Sequence, residues 1–246
     1  MANTLVKKGK PYFRVLKTVM QVRYKPPRFL FVGEEFPDGS LILSNHEGTD
    51  APMALEMYMP RRLRMWGAHE MNEGLVPMYK YQSAVYFTEK KHWNIWGARA
   101  FCLIASPLTN LFYSGFDLIS TYHDTRIVKT LKESLAAIKT GESIVIFPEH
   151  SEKGYLAELE GFFAGFALFA EFAGKRGVDV PVVVSYYRKG ENTYIFDKPV
   201  PYSALVAQYE TRDAIVKALL DRCNALGKMN TKGLTEIDYG ALAEAE

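Results

Sequence analysis

A histidine and an aspartate four residues apart, His46 and Asp50, are the side chains best placed to carry out chemistry. An apolar run at 40–43 comes just before them and predicts a buried strand. If the chain becomes helical directly after His46, residues i and i+4 share one face of that helix. Asp50 can then accept a hydrogen bond from one imidazole nitrogen, which leaves the other nitrogen to act as a general base. The alternative is an ordinary capping or surface pair at the start of a helix.

A second apolar segment, at residues 142–147, runs into the tripeptide Phe147-Pro148-Glu149. Its length and composition also predict a buried strand. In an open α/β sheet, ligands bind at the carboxyl ends of the strands. His46 and Glu149 are therefore predicted to follow two strands of one sheet and to face one pocket.

Taken in order, these motifs resemble the lysophosphatidic acid acyltransferase family, the PlsC-like glycerolipid acyltransferases. Asn45-His46 with Asp50, and a Phe-Pro-Glu strand roughly a hundred residues later, match two motifs of the family. Three further segments resemble the family's second strand, the helix before its Phe-Pro-Glu strand and its late Val-Pro strand: 63–67, 124–135 and 180–184. The resemblance covers residues 12–201.

The resemblance implies an α/β fold with a mostly parallel central sheet flanked by helices, like that of the glycerolipid acyltransferases. The alternation of predicted strands and helices is typical of such a sheet. We expect residues 29–246 to form the acyltransferase domain, with an aromatic insertion at about 72–114. Residues 1–28 are expected to form a basic helical segment in front of it.

By the same resemblance, the protein moves a fatty acyl group from an acyl thioester to a hydroxyl or amine. His46 is implied as the general base and Asp50 as the residue that orients it. The donor is acyl-CoA or acyl carrier protein, and neither a metal nor a cofactor is expected. Backbone N–H groups after the first strand are the expected oxyanion donors. The predicted substrate-binding residues lie around the two motifs: Asn45, Gly48, Thr49, Thr121, Phe147, Pro148, Glu149, His150, Ser151 and Glu152.

Several departures from the family pattern concern the acceptor. The histidine and the aspartate are separated by three residues, where the family usually has four. Glu152 and Thr121 stand where relatives carry arginine, and Glu158 and Glu160 add negative charge nearby. A carboxylate repels a phosphate. We therefore expect an acceptor with a neutral or cationic head group, such as an amine or an amino lipid, and not a phosphorylated one.

Two alternatives remain open. The first is a 1-acylglycerol-3-phosphate acyltransferase of phospholipid synthesis, whose acceptor phosphate is bound by Lys153, Arg126 or backbone amides. The second is a protein that binds or hydrolyses lipid thioesters without transferring the acyl group.

A cluster of arginines, Arg61, Arg62 and Arg64, has two interpretations. It predicts either a contact for the phosphates of coenzyme A or for an acyl carrier protein, or a solvated strand edge.

The composition narrows the class of protein. With 246 residues, 48% of them hydrophobic, the chain suits one large α/β domain with a small appendage. A net charge of +2 gives no general attraction to nucleic acid. Cys102 and Cys223 lack the spacing of metal ligands or of a redox pair. The most apolar window, 100–116, contains Pro107 and Asn110 and is too interrupted to predict a membrane span.

Two segments predict contact with a membrane surface. Residues 1–28 contain eight Lys or Arg and no acid, with apolar side chains at helical spacing, and such a helix can lie on an anionic leaflet. The alternative is a helix packed on the domain. The aromatic insertion suits a bilayer interface, an acyl-chain groove or a satellite of the core. We expect a peripheral protein at the cytoplasmic face of a membrane.

Overall fold

The computed structural model describes residues 11–151 and 154–239. These residues form an open, mixed and mostly parallel sheet flanked by helices, which confirms the predicted α/β class. Residues 1–10 of the predicted basic segment lie outside the described residues, as do Glu152 and Lys153.

Strands and helices alternate along most of the chain. The strands are β1 (Arg28–Phe31), β2 (Leu41–Ser44), β3 (Leu63–Ala68), β4 (Ile119–Thr121), β5 (Ser143–Ile146), β6 (Pro181–Arg188), β7 (Thr193–Phe196), β8 (Val200–Pro201) and β9 (Thr235–Ile237). The helices are α1 (Pro11–Met20), α2 (Asp50–Tyr58), α3 (Leu75–Lys80), α4 (Ile95–Tyr113), α5 (Ile127–Lys139), α6 (Gly165–Gly174), α7 (Tyr202–Gln208) and α8 (Arg212–Lys228). A π-helix, Tyr81–Lys90, follows α3, and short 3-10 helices lie at His69–Met71 and Lys189–Glu191.

The strands lie in the order β4-β3-β5-β2-β6-β7-β1-β9, and β8 pairs with β6. From β4 to β6 every neighbouring pair on this path is parallel. The β6–β7 and β1–β9 pairs are antiparallel, whereas β1 and β7 are parallel. All residues of the central strands β2 and β5 are buried, as expected for parallel strands covered on both faces.

Two apolar layers cover the central strands, because successive side chains of a strand point to opposite faces of the sheet. Leu43 and Ile146 belong to one buried cluster with Phe166 of α6. Ile42 belongs to the other, together with Leu55 of α2. The helix that follows His46 is thereby fixed on the sheet.

Helix α1 packs on the domain through one side. The ring of Phe13 is 1% exposed and lies 5.6 Å from that of Phe112 and 5.5 Å from that of Phe116, measured between ring centroids. The ammonium of Lys17 lies 2.8 Å from the buried carboxylate of Glu56 in α2. On this side α1 is packed on the domain, which was the alternative to a helix lying on a membrane.

The insertion at 72–114 forms a helical layer made of α3, the π-helix and α4. We call the apolar side chains that the insertion, α1 and the turn after α1 expose the exposed apolar surface: Val15, Val19, Val22, Leu75, Val76, Trp93, Trp96, Phe101, Leu103, Ile104, Leu108 and Leu111. Scattered single side chains of this kind need no explanation, but a large group of them marks an interaction site. Within the described residues, no helix is long and apolar enough to cross a membrane.

The arginine cluster predicted as a phosphate contact is engaged in ion pairs. Each member lies 2.6–2.9 Å from a carboxylate oxygen: Arg61 from Glu35, Arg62 from Glu142 and Arg64 from Glu133. These carboxylates neutralise the cluster and connect β3 with its surroundings. The three side chains are 14–36% exposed and ion-paired, so they do not form the solvated strand edge of the second alternative.

Candidate active site

His46 and Glu149 follow neighbouring parallel strands, β2 and β5, in which Leu43 is paired with Ile146. The backbone N–H of His46 donates to Glu149 Oε2 over 3.1 Å, and the N–H of Leu156 donates to Oε1 over 3.3 Å. A strand end leaves backbone donors without a ladder partner, and the carboxylate accepts from them. Glu149 therefore ties together the two strand ends and the loop after β5.

Asn45 was predicted to bind substrate, and the structure gives it a different role. Its side chain is 1% exposed. Its Nδ2 donates to the backbone oxygen of Tyr187 over 3.0 Å, and the N–H of Tyr187 donates to its Oδ1 over 2.7 Å. Next to it, the hydroxyls of Ser44 and Tyr194 lie 2.7 Å apart. Asn45 therefore continues the β2–β6 pairing with its side chain and fixes the residue before His46.

The imidazole of His46 is half-buried between two aromatic rings. Its centroid lies 4.9 Å from that of Phe147 and 5.1 Å from that of Tyr155. These rings limit the rotation of the imidazole and keep part of it away from water. A histidine held in this way at the edge of a cavity is suited to move a proton.

Asp50 does not make the predicted hydrogen bond with His46 in the described structure. Glu47 and Gly48 adopt left-handed backbone angles, φ 42° and 67°, and α2 begins only at Asp50. The i to i+4 geometry of a continuous helix is therefore absent. The Asp50 carboxylate instead lies 2.7 Å from the ammonium of Lys189 and 3.8 Å from the guanidinium of Arg23. The hydrogen bond to Asp50 raises the pKa of Lys189.

A cavity of about 1090 Å³ opens beside His46. It is lined by seven of the residues that the sequence analysis selected: His46, Gly48, Thr49, Thr121, Phe147, Pro148 and Glu149. The hydroxyl of Thr121 donates to the backbone oxygen of Gly67 over 2.9 Å, which fixes its side chain at the wall. The lining also includes residues of α1, the π-helix and α4. The cavity therefore lies between the carboxyl edge of the sheet and the helical layer formed by the insertion.

Four of the selected residues that the structure describes do not take part in this lining: Asn45, whose bonds are given above, Asp50, His150 and Ser151. Asp50 is buried in its ion pairs, the ring of His150 packs on Phe163 with 4.6 Å between centroids, and Ser151 donates to Glu160 over 3.3 Å. Glu152, the residue that replaces the family's arginine, lies outside the described residues.

The charge of the cavity wall is unusual for a site that binds a phosphate. Among the described residues that line it, none is Lys or Arg, and Glu149 is the one carboxylate. Arg126, the alternative phosphate ligand, is exposed and forms a bidentate pair with Asp124, with distances of 2.7–3.0 Å. Apart from His46 and His123, the other lining side chains are apolar, aromatic or neutral and polar.

The described residues contain no group of three or more His, Cys, Asp or Glu side chains that could hold a metal ion. No protein-family model matches the chain, and no curated protein resembles it closely enough in sequence to count as a relative.

The role of Asn45 is testable by substitution. Asn45→Ala removes two buried hydrogen bonds and leaves the N–H and the carbonyl of Tyr187 without partners, which we expect to lower the free energy of unfolding by about 2–4 kcal/mol. Urea unfolding measures this change. The control is Asn110→Ala on α4, whose side chain bonds to no described residue and whose loss should change stability little. Equal loss of stability in the two variants would contradict the assignment.

Proposed function

We propose that this protein is an acyltransferase that moves a fatty acyl group from an acyl thioester to a hydroxyl or amine of an acceptor. The observation that carries the proposal is the meeting of His46 and Glu149 at the carboxyl edge of the sheet, over a large and mostly apolar cavity. The order of motifs, which resembles that of the PlsC-like glycerolipid acyltransferases, supports the same class of reaction.

In this proposal His46 accepts the proton of the acceptor as its oxygen or nitrogen attacks the thioester carbonyl. A new carbon–oxygen or carbon–nitrogen bond forms, and the carbon–sulfur bond breaks. The thiolate of the donor leaves and takes up the proton from the imidazolium. Atoms and charge therefore balance without a covalent intermediate on the protein, because the acceptor itself is the nucleophile.

The turn after His46 supplies candidates for stabilising the oxyanion. The N–H groups of Gly48 and Thr49 make no hydrogen bond to a described residue, and both residues line the cavity. Glu47 and Gly48 adopt left-handed φ angles directly after His46, so the turn that carries these amides is adjacent to the base in the chain. Backbone amides in such a position stabilise a developing negative charge on the carbonyl oxygen.

We propose that the acceptor is not phosphorylated. A phosphate is usually bound by Arg, Lys or several converging amides. The absence of Arg and Lys from the described part of the cavity wall favours a neutral or cationic head group. Acylation of a 1-acylglycerol-3-phosphate remains the competing activity, and the acceptor assay below separates the two.

The exposed apolar surface supports a position at a membrane. Trp96, Leu103 and Ile104 of α4 are 68–75% exposed, while Phe101, Leu108 and Leu111 are both exposed and part of the cavity wall. The cavity wall and the exposed apolar surface therefore share these three residues. We propose that the protein lies on the cytoplasmic face of a membrane and receives acyl chains or a lipid acceptor from it.

The central test is a substitution of the base. We expect His46→Ala to lower acceptor-dependent release of thiol from an acyl thioester by ~10²–10⁴, the usual contribution of a positioned general base. Mass spectrometry of the products identifies the acylated acceptor among amine-bearing, neutral and phosphorylated candidates. The control is His92→Ala, since His92 is exposed and does not line the cavity. Wild-type turnover of the His46 variant would overturn the proposal, and thiol release without acceptor would indicate a thioesterase.

The role of Asp50 is separable from that of Lys189. If Asp50 leaves Lys189 to orient His46 during turnover, Asp50→Asn should lower turnover by about tenfold or more. Lys189→Ala should maintain or increase it, because this variant removes the competing partner. Steady-state kinetics on both variants measure the difference. Unchanged turnover in both variants, with equal loss of stability, would mean that Asp50 only anchors the segment that carries Lys189.

Membrane binding is measured by co-sedimentation with vesicles. We expect stronger binding to anionic than to neutral vesicles, reduced by salt, since each Lys or Arg near an anionic leaflet contributes ~1 kcal/mol. Replacing Leu103 and Ile104 together by Ser should weaken binding about tenfold or more, because two exposed apolar side chains lose their contact with lipid. Val206→Ser on α7, also an exposed apolar position, is the control. Equal binding by both variants would argue against a membrane role for α4.

A further inference from the structure

Six tyrosines line the cavity. The ring of one, Tyr122, already lies 4.5 Å from the guanidinium of Arg126, and the other five come from separate parts of the chain. Tyr24 follows α1, Tyr81 and Tyr86 belong to the π-helix, Tyr113 is the last residue of α4 and Tyr155 lies in the loop after β5. All five line the cavity together with His46. These five residues have no regular spacing in the sequence, so only the fold places them on one cavity. We call them the tyrosine cluster.

Four of these phenols keep their hydroxyls available to a ligand. Those of Tyr81, Tyr86, Tyr113 and Tyr155 make no hydrogen bond to a described residue, whereas Tyr24 is 3.0 Å from the hydroxyl of Thr49. A half-buried tyrosine hydroxyl usually has a partner. Burial raises the pKa of Tyr113, and the neighbouring phenols of Tyr86, Tyr81 and Tyr24 raise it further. Burial also raises the pKa of Tyr81, Tyr86 and Tyr155, so these four phenols are neutral near pH 7.

Charges of both signs lie near these tyrosines. The guanidinium of Arg23 lies 5.2 Å from the ring of Tyr24, but Arg23 does not line the cavity. Burial raises the pKa of Tyr81, and the carboxylates of Glu70 and Glu89 also raise it. Burial raises that of Tyr155, and Tyr86, Tyr81 and Glu149 add to the effect. Lys91 lies 5.9 Å from the ring of Tyr86, but it is not part of the cavity wall.

Aromatic faces and phenol oxygens bind ammonium groups well, because the negative face of each ring attracts a cation. An aromatic cage of this kind needs no formal negative charge in direct contact with its ligand. A phosphate in the same place would meet only neutral groups and Glu149 among the described residues of the wall.

We infer that the tyrosine cluster is a cage for an ammonium group of the acceptor. This inference rests on the proposed function, because it assigns the acceptor of that reaction. Tyr155 packs on His46, so a caged molecule is held next to the base. The caged ammonium and the attacking hydroxyl or amine are separate groups of one molecule, and only the second group loses a proton to His46.

Binding of three short amphiphiles tests the inference without turnover. Octyltrimethylammonium, octyl glucoside and octyl phosphate share a chain and differ in the charge of the head group. Calorimetric titration of the full chain below their micelle concentrations should give the tightest binding for octyltrimethylammonium. Tyr86→Leu and Tyr155→Leu should each weaken its binding by about five- to thirtyfold, the range for one cation–π contact, and should affect octyl glucoside little.

Phenylalanine variants at the same positions keep the ring and should lose less affinity for the cation than the leucine variants. Tyr79→Leu is the matched control, since Tyr79 lies in the neighbouring helix and does not line the cavity. Octyl phosphate binding as tightly as the cation would overturn the cage, as would an equal loss of affinity for all three probes in the leucine variants. If a leucine variant does not fold, the wild-type series decides alone.

The binding test of the cage and the turnover test of the proposed function can fail independently. A preference for the cation that His46→Ala retains would support the cage even if no acyl transfer is found. Acyl transfer that depends on His46, without a preference for the cation, would overturn the cage and leave the transferase standing.

Discussion

The carboxylate of Glu149 is the group on which the geometry of the site depends. It accepts N–H groups from His46 and from Leu156, and so it joins the ends of two parallel strands to the loop that follows one of them. Parallel pairing of β2 and β5 brings these ends side by side, but it leaves their last donors without ladder partners. The carboxylate of Glu149 accepts the donor that follows β2 and one donor of the loop after β5, and so it fixes the backbone of the proposed base. The rings of Phe147 and Tyr155 then hold its imidazole.

Much of this frame is predictable from local signals. The apolar runs of β2 and β5 are continuous because both faces of these strands are covered. Helix α5 ends where Gly141 adopts φ 81°, a conformation that glycine takes easily. The left-handed angle at Glu47 has no such signal, since a glutamate rarely adopts it, and this angle moves Asp50 out of the predicted helical register. Its partner Lys189 is distant in sequence, and no local pattern indicates it.

The insertion shows a different limit of sequence patterns. Its many aromatic residues indicate an interface or a groove, but not which rings point inward. Tyr86 and Tyr113 line the cavity, whereas Trp96 is exposed on the outer surface. Part of the reason is the π-helix, in which the rotation per residue differs from that of an α-helix, so the usual helical period assigns faces wrongly there. The inferred function of the cluster thus depends on backbone geometry that composition does not contain.

The edge of the sheet formed by β7, β1 and β9 joins segments that are widely separated in the chain. Strand β1 lies between β7 and β9, so residues near 30, 195 and 236 must meet before this edge is complete. Arg28 and Glu236 close it with a bidentate ion pair. Contacts of such long sequence separation form slowly, because a long loop must close first. During synthesis, β1 can pair with β7 and β9 only after almost the whole described chain has emerged. Until then its unpaired edge is a site for chaperone binding or mispairing.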